Sequence, residues 1–444
     1  MQHCSRWLEP DQRPGRQTLH KCPETKGLYC KAVKRVTIVR PMEHWNRRTV
    51  LIALGALPGS LLIGCQNKEK MPAEAPDMAL PPAPPIGLDS LDATLAERCW
   101  TGIERGVQWL LRSQREDGAF ISRVYPVLGS GQSLTPFSLW SLLQLPPSRL
   151  TEHRQQLQNA QRWILDAQQP SGALGFRSRI EDYPCYATSL ALRCTLALKP
   201  AGWRVAAERM AQWLNRQQFL RETGWGEHPA EGGWGMGSAE ALTPPKSGHV
   251  DLSMTCSVLE ALTDPERPTR LSPERRDAAR GFVLRCQVRQ GGFFSSPVLP
   301  RLNKGVARED GPGPYGSATC DGLLALLALG YPKHHPTVNR SLAYLHSIHR
   351  VDRNPGIDPG INAALGEGMK GYYRAAAARV FAQLGGPPRW RDNLARIVLA
   401  EQRRDGSWLN KNRLQNEDEP MVATSLALRA LNELLQVEVM RRTG

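Results

Sequence analysis

The sequence predicts an all-α fold in which six helical hairpins form two concentric rings, one of inner and one of outer helices. Three observations support this prediction. A short turn motif recurs along the chain, the helical runs around it fall into two alternating classes, and a threonine recurs in phase in the second class. Recurrence at intervals of roughly 50–70 residues is typical of folds built from repeated supersecondary units.

The turn motif consists of Gln, three residues, Gly, one residue, and then a large apolar side chain. Four full copies are Gln114-Gly118-Phe120, Gln168-Gly172-Leu174, Gln287-Gly291-Phe293 and Gln402-Gly406-Trp408. A degraded copy has Gln217 or Gln218 followed by an insertion that ends in Trp234. A weaker sixth copy has His346 or His349 where the glutamine is expected.

The motif has a structural interpretation. The end of a helix leaves carbonyl groups unpaired, and a glycine allows a positive-φ exit from it. The Gln amide can donate to such a carbonyl and accept from N–H groups of the next helix, while the following aromatic ring covers it. We therefore expect Trp408 to stabilise the fold rather than to act in catalysis.

The two helix classes differ in how apolar they are. The first helices, such as "RGVQWLLRSQ", carry one apolar stripe, whereas the second helices, such as "TSLALRCTLAL", are apolar around most of their circumference. The second helices share a threonine or its equivalent at Thr135, Thr188, Thr255, Thr319, Arg374 and Thr424. A helix that is apolar on all sides is buried, so the second helices should form the inner ring. Closing six hairpins into a ring also removes exposed ends.

The N-terminal 87 residues differ from the rest. Residues 1–41 lack apolar periodicity and are interpreted as a doubtful extension, with Met42 as the expected start. Residues 42–64 resemble a twin-arginine lipoprotein signal peptide, because Arg47-Arg48 precede an apolar run and the lipobox-like Leu62-Ile63-Gly64-Cys65. Cys65 is then the lipidated residue. A transmembrane anchor stays open, although the apolar run is short for a span of ~20 residues.

A proline-rich tether follows over residues 65–87, and the helical domain is expected over 88–440. These features predict an exported protein, lipid-anchored to the bacterial cell envelope and facing the periplasm. The formal net charge of the chain is +15, and residues 1–64 account for +7 of it, so the folded domain is only mildly basic. No basic run is interleaved with aromatic residues, which argues against nucleic-acid binding.

The repeated Gln-x3-Gly-x-aromatic turns, with their alternating helices, resemble the squalene–hopene cyclase and protein prenyltransferase β-subunit superfamily over residues from about 95 to 436. The resemblance implies an (α/α)6 toroid. It also implies a terpene-cyclase-like isomerase or transferase, and an apolar, isoprenoid-like ligand in the toroid cavity. Fold alone does not establish the chemistry.

The family's usual sites are incomplete in this chain. Aligned with the cyclases' Asp-x-Asp-Asp motif, Asp251 takes the first position, Ser253 that of the proton donor and Met254 the last. A hydroxyl cannot protonate an isolated alkene, so catalysis would need a non-standard site, and Asp251 alone is equally typical of a helix N-cap. Of the zinc ligands of the prenyltransferases, only the cysteine has a counterpart in this chain, Cys320. Neither a metal nor a cofactor is therefore predicted.

The inner helices begin at one end of the predicted ring, and candidate site residues concentrate there. His249 and Asp251 are the catalytic candidates, as an acid/base pair. The candidates for the ligand cavity are Tyr183, Tyr186, Trp234, Ser253, Tyr315, Tyr372, Tyr373 and Arg374. Asp321 belongs to the same end of the ring. Aromatic residues with a few polar groups are usual in a small-molecule pocket.

Three functions remain open from the sequence. One is an isoprenoid-binding envelope lipoprotein with or without catalysis, and another is a non-catalytic envelope scaffold that binds a protein partner. The third is a polysaccharide-active enzyme on an (α/α)6 ring, for which the acidic run Glu417, Asp418 and Glu419 is the only candidate, and such a run is usually a solvated loop. Six cysteines of the mature chain are expected in the core, with disulfide pairing left open.

Overall fold

A computed structural model describes residues 91–178, 180–266 and 270–443, without the side chains of 361, 362 and 436–443. The outer helices are α1 (Ala93–Arg112), α3 (Arg154–Ala167), α5 (Trp203–Arg216), α7 (Pro273–Arg285), α9 (Pro336–Ile348) and α13 (Trp390–Ala400). The inner helices are α2 (Leu134–Leu143), α4 (Pro184–Leu198), α6 (Leu252–Leu262), α8 (Gly316–Ala328), α12 (Lys370–Leu384) and α14 (Pro420–Thr443). The short helices α10 (Pro359–Asn362) and α11 (Leu365–Gly368) precede α12.

The twelve long helices close into a ring. Each inner helix packs against the next one along the chain, and α14 packs against α2, which completes the inner ring. On the outside, α13 packs against α1. A small antiparallel hairpin, β1 (Gly305–Arg308) and β2 (Gly311–Gly313), projects from the connection before α8. The predicted all-α toroid with an inner and an outer ring is confirmed.

Burial separates the two classes of helix as their composition predicts. In α8 every residue from Gly316 to Leu326 is buried, because this helix contacts neighbours on all sides. In the outer helix α5 burial is confined to Ala207, Met210, Ala211, Trp213 and Leu214, which form one stripe. The core of the domain therefore lies between the two rings, and the inner helices enclose the axis.

The glutamine of each turn motif joins neighbouring outer helices. Gln114 Nε2 donates to the carbonyl of Gly118 in its own turn, at 2.9 Å, and to that of Gln156 in α3, at 3.0 Å. Gln168, Gln218 and Gln287 make the equivalent pairs of bonds to the following unit. The sequence predicts that the amide also accepts from helix N–H groups, but here its nitrogen donates both bonds, because unpaired acceptors face it from both sides.

The glycine and the apolar residue of the motif have separate roles. Gly172 has φ +98°, and a Cβ atom there would lie 2.0 Å from the carbonyl oxygen of Arg209 on the next outer helix. The backbone N–H of Trp408 donates to Thr424 Oγ1 at 3.1 Å, which explains the recurring threonine. The same bond joins Phe120, Leu174, Trp234 and Phe293 to their threonines. Trp408 is buried and donates from Nε1 to the Val398 carbonyl at 2.7 Å, as expected of a structural residue.

The predictions for residues 1–41, 42–64 and 65–87 lie outside the described residues. Within the described part, no helix combines the length and hydropathy needed to cross a membrane. The six cysteines there are all buried.

Candidate functional site

A cavity of about 110 Å³ lies on the axis of the inner ring. Space of this size holds roughly seven to eleven water molecules, and so a small organic molecule. Six positions of its wall lie five residues after the recurring threonine, namely Trp140, Arg193, Glu260, Leu324, Arg379 and Arg429. Six others lie two residues after it, namely Phe137, Leu190, Ser257, Asp321, Ala376 and Leu426. Tyr186, Ser253 and Tyr372, two residues before it, line the end nearest the inner-helix N-termini.

Asp321 is a buried carboxyl in this wall, on the first half of α8. Tyr372 Oη donates to Asp321 Oδ1 at 2.8 Å. Burial raises the pKa of Asp321 to about 8, although the Tyr372 hydrogen bond acts against the rise, and the charge of Asp251 adds to it. The side chain is therefore a neutral carboxylic acid at neutral pH, which can donate a proton as well as a hydrogen bond.

Asp251 is the N-cap of α6 and also a hub of polar contacts. Its Oδ1 accepts from the Met254 N–H at 2.8 Å and from Ser253 Oγ at 2.9 Å, and its Oδ2 lies 2.7 Å from His249 Nε2. Burial alone would raise the pKa of Asp251. The His249 contact and these hydrogen bonds outweigh burial and lower that pKa. Asp251 and Asp321 thus differ in charge at neutral pH, one ionised and one neutral.

A chain of hydrogen bonds connects the two carboxyl groups. Ser253 Oγ donates to Asp251 Oδ1 and Tyr372 Oη donates to Asp321 Oδ1, and the half-buried Tyr186 hydroxyl lies within reach of both Ser253 and Tyr372, so it can bridge one to the other. His249, with about a third of its side chain exposed, begins the chain at the rim. The arrangement offers a path for a proton between the rim and the cavity.

The opposite part of the cavity is charged. Glu260 accepts from Arg193 at 2.8 Å and forms an ion pair with Arg379. Arg429 instead donates to two neutral oxygens, Ser141 Oγ at 2.7 Å and the Phe137 carbonyl at 3.2 Å.

The cavity's acids and bases are shifted by their surroundings. The two arginines hold the pKa of Glu260 below its usual value despite burial. Burial and the neighbouring positive charges of Arg193 and Arg379 lower the pKa of Arg429 to about 10. Burial raises the pKa of Glu433, which lines the same cavity four residues beyond Arg429.

The sequence-predicted cavity residues separate into two groups. Tyr186, Ser253 and Tyr372 line the cavity. The remaining candidates lie outside this cavity: Trp234 donates to the Leu214 carbonyl, Tyr315 contacts Ser295, Tyr373 contacts His349, Arg374 pairs with Glu401, and Tyr183 is the N-cap of α4. Tyr373 and Arg374 miss it because inner-helix residues one position apart point in directions about 100° apart, and only one face reaches the axis.

The charged residues of the wall were missed from the sequence. A signal was available, since units two and six share the string "TSLALR", which ends in Arg193 and Arg429 at the same register. A charged residue at the same place in two of the most apolar helices indicates a position that faces an enclosed space rather than solvent.

The acidic run before α14 is not a solvated loop. Glu417 accepts from the N–H groups of Gly371 and Tyr372 at the start of α12, both at 2.9 Å. Asp418 accepts from Tyr125, and Glu419 from Ser122. All three carboxylates are thus bound to neighbouring units.

No group of three potential ligands in the described part of the chain could hold a metal ion. Cys320, the single counterpart of a zinc ligand, is fully buried, and burial raises the pKa of its thiol well above the usual value. A buried neutral thiol of this kind behaves as a small apolar core residue.

Comparison with known proteins agrees with the fold. The model of the prenyltransferase alpha-alpha toroid domain matches residues 91–231 and 248–428. No curated protein matches the chain at a significant level.

Several solved structures share the toroid. A variant of the type II terpene cyclase MstE from Scytonema, in complex with geranylgeranyl dihydroxybenzoate, is 13% identical with a TM-score of 0.51, over 79% of this chain and all of that one. Cellobiose 2-epimerase from Spirochaeta thermophila is 15% identical with a TM-score of 0.51, over 78% of this chain and 98% of that one. An unsaturated glucuronyl hydrolase specific for heparin is 12% identical with a TM-score of 0.50, over 78% and 98%. At such identities the similarity shows the fold alone.

Proposed function

Because the chain belongs to the family of prenyltransferase alpha-alpha toroid domains, we propose that it binds a small, partly apolar molecule in its central cavity and transfers a proton to it from Asp321. The observation that carries the proposal is the buried Asp321 carboxyl in the cavity wall, hydrogen-bonded to Tyr372. One protein with a similar fold, the MstE cyclase, is in complex with a partly apolar substrate, geranylgeranyl dihydroxybenzoate.

The acidity of Asp321 selects the chemistry. A carboxyl with a pKa of about 8 is a weak acid, well matched to a carbonyl, enol or leaving-group oxygen near neutral pH. An isolated alkene needs a much stronger acid. Proton-transfer chemistry of the isomerase type therefore fits this site better than the polyene cyclisation of the usual cyclases, whose donor position is occupied by Ser253.

The proton can be replaced after each turnover. When Asp321 gives its proton to one position of the ligand, its carboxylate, stabilised by the Tyr372 hydroxyl at 2.8 Å, removes a proton from a neighbouring carbon, so the ligand is isomerised and Asp321 is neutral again. The Asp321 proton exchanges with solvent through Tyr372, Tyr186, Ser253 and the Asp251–His249 pair at the rim. In this proposal His249 and Asp251 keep their role as an acid/base pair, acting through the chain and not directly on the ligand.

Deuterium exchange tests the proposal even while the substrate is unidentified. Purified protein is incubated with a metabolite extract in D₂O, and mass spectrometry identifies any compound that gains deuterium. We expect a labelled compound with wild type and none with Asp321→Asn, whereas Glu208→Gln on the exposed face of α5 should label it like wild type. Equal labelling by Asp321→Asn would refute the role of Asp321. If no compound is labelled and polypeptides co-purify instead, a non-catalytic scaffold replaces the proposal.

We further propose that the domain is tethered to the cell envelope through a lipid on Cys65. The twin-arginine-like segment and the lipobox-like Leu62–Cys65 support this. Wild-type protein expressed in a bacterium should incorporate labelled palmitate and sediment with membranes. Cys65→Ser should lose the label and appear in the soluble fraction, and a variant that stays labelled would show that the lipid is elsewhere.

A further inference from the structure

One level of the cavity wall carries more positive than negative charge. We call it the arginine layer, and its members are Trp140, Arg193, Glu260, Leu324, Arg379 and Arg429. Glu260 is the only carboxylate of the layer and is shared by Arg193 and Arg379. Even if Glu433, further along the same wall, were ionised, the three arginines would outnumber the two carboxylates.

The guanidinium groups are held in place by neighbouring rings. Arg193 lies 4.2 Å from the centroid of the Trp140 ring, and Arg429 lies 4.3 Å from that of Phe137. Both rings belong to α2, so arginines from α4 and α14 flank a single helix. Side chains fixed in this way lose little further conformational entropy when they bind a ligand.

Part of this hydrogen-bonding capacity is unused. The Nε atom of Arg193 is buried and has no hydrogen-bond partner among the described residues. Arg429 donates from Nε and Nη2 to neutral oxygens only. A buried donor without a partner is costly, and so is an enclosed guanidinium whose own hydrogen bonds reach only neutral oxygens; a bound anion would relieve both.

We infer that the arginine layer is a binding site for the oxyanion group, carboxylate or phosphate, of a small organic molecule, with Arg193 and Arg429 as its principal contacts. The planar guanidinium fork matches the two oxygens of such groups, which a single ammonium group does not. Glu260 acts as the internal counter-charge that keeps Arg193 and Arg379 stable when the site is empty.

The position of the layer defines a substrate class, and this step rests on the proposed function. Asp321 lies three residues before the arginine layer in the shared register, a rise of about 4.5 Å along an inner helix. At the level of Asp321 the wall is otherwise apolar at Leu190 and Leu426. The preferred substrate is then a small carboxylate or phosphate ester that receives its proton a few bonds from the anionic group.

Binding of simple anions tests the inference. Isothermal titration calorimetry would measure the Kd of benzoate and of inorganic phosphate, with uncharged benzamide as the matched control. Wild type should bind at least one of the two anions and not benzamide. Arg429→Met should weaken that binding at least tenfold, whereas Arg209→Met, on the exposed face of α5, should leave it unchanged. Preference for benzoate or for phosphate identifies the anionic group.

A second variant separates loss of the site from loss of the fold. Glu260→Gln removes the internal counter-charge, so it should tighten anion binding about tenfold, an effect that misfolding cannot produce. An anion Kd that is unchanged in both Arg429→Met and Glu260→Gln would overturn the inference. Anion binding without deuterium exchange would leave the subsite standing and refute the proposed proton transfer, while exchange without anion binding would do the reverse.

Discussion

The two aspartates of the candidate site show how surroundings determine the state of a side chain. Asp251 and Asp321 are both buried, but Asp251 accepts a backbone N–H and contacts His249, whereas Tyr372 is the hydrogen-bond donor to Asp321. Its contacts stabilise Asp251 as a carboxylate, whereas burial keeps Asp321 a neutral acid because the Tyr372 hydrogen bond does not offset it. A pair of titratable groups whose pKa values are driven apart in one cavity is a common arrangement in acid/base enzymes.

The neutral state of Asp321 has a consequence for stability. Its pKa is about 8 in the fold, against about 3.9 in the unfolded chain. Between these values only the folded state holds the proton, so the contribution of Asp321 to the free energy of unfolding falls as pH rises, by about 1.4 kcal/mol per pH unit. Because asparagine does not titrate, the Asp321→Asn variant lacks this contribution to the pH dependence of the free energy of unfolding.

Urea unfolding at pH 5, 6 and 7 measures this difference. The stability of Asp321→Asn relative to wild type should grow by about 1.4 kcal/mol with each pH unit. Tyr372→Phe removes the hydrogen bond that lowers the pKa of Asp321, so the slope should extend to higher pH in that variant. Parallel pH profiles for wild type and Asp321→Asn would mean that Asp321 is ionised in the fold.

The connections between helices determine the fold as strongly as the helices themselves do. The glycine of the turn motif lets the chain leave an outer helix at positive φ while the next outer helix passes against it. Carboxylates from neighbouring units cap the inner helices in a similar way, as Glu417 does for α12 and Asp182 for α2. Because these contacts join adjacent units, each hairpin is stabilised by its neighbours.

Two glycines allow the cost of a steric clash to be measured separately from the cost of a positive-φ backbone. Gly172→Ala places a Cβ 2.0 Å from the Arg209 carbonyl, whereas Gly202, also at positive φ, has no atom within 4 Å of its Cβ position. Gly202→Ala should cost about 1 kcal/mol of stability for the left-handed backbone. Gly172→Ala should cost about 2–4 kcal/mol, because the clash is added. Chemical denaturation measures both, and equal costs would show that the clash is relieved without strain.

For the whole molecule, closure of the ring depends on the contact between the first and last units. Gln402 Nε2 donates to the Gly102 carbonyl on α1 at 2.8 Å and to the Gly406 carbonyl at 2.9 Å. These bonds are the same as those of Gln168 in the middle of the chain, which reach Ala206 and Gly172. The last unit is thus clamped to the first as any unit is to the next.

Matched substitutions test whether the ring is closed in solution. Gln168→Ala removes two hydrogen bonds, and Gln402→Ala removes the same two and a longer one accepted from the exposed Arg105 at 3.3 Å. Each leaves carbonyls without a donor, at a cost of about 1–3 kcal/mol. In a closed ring the two variants should lose similar stability in a urea titration. If Gln168→Ala were destabilised and Gln402→Ala were not, the first and last units would be separated in solution.

The number of hairpins, the order of the inner and outer helices, the structural role of Trp408 and the phase of the recurring threonine could all be predicted from the sequence. These follow from periodicity and turn chemistry, which are local properties of the chain. The sequence also placed Tyr186, Ser253 and Tyr372 near the cavity, because the inner helices begin at one end of the ring.

Which face of each inner helix meets the axis follows from packing among distant segments. Tyr373 and Arg374 lie one and two positions after the cavity residue Tyr372, and that small rotation turns them into the layer between the rings. The neutral Asp321 and the shared Glu260 depend on burial and on charges from other helices. Electrostatic environment is set by residues far apart in the chain, so no local pattern could have revealed it.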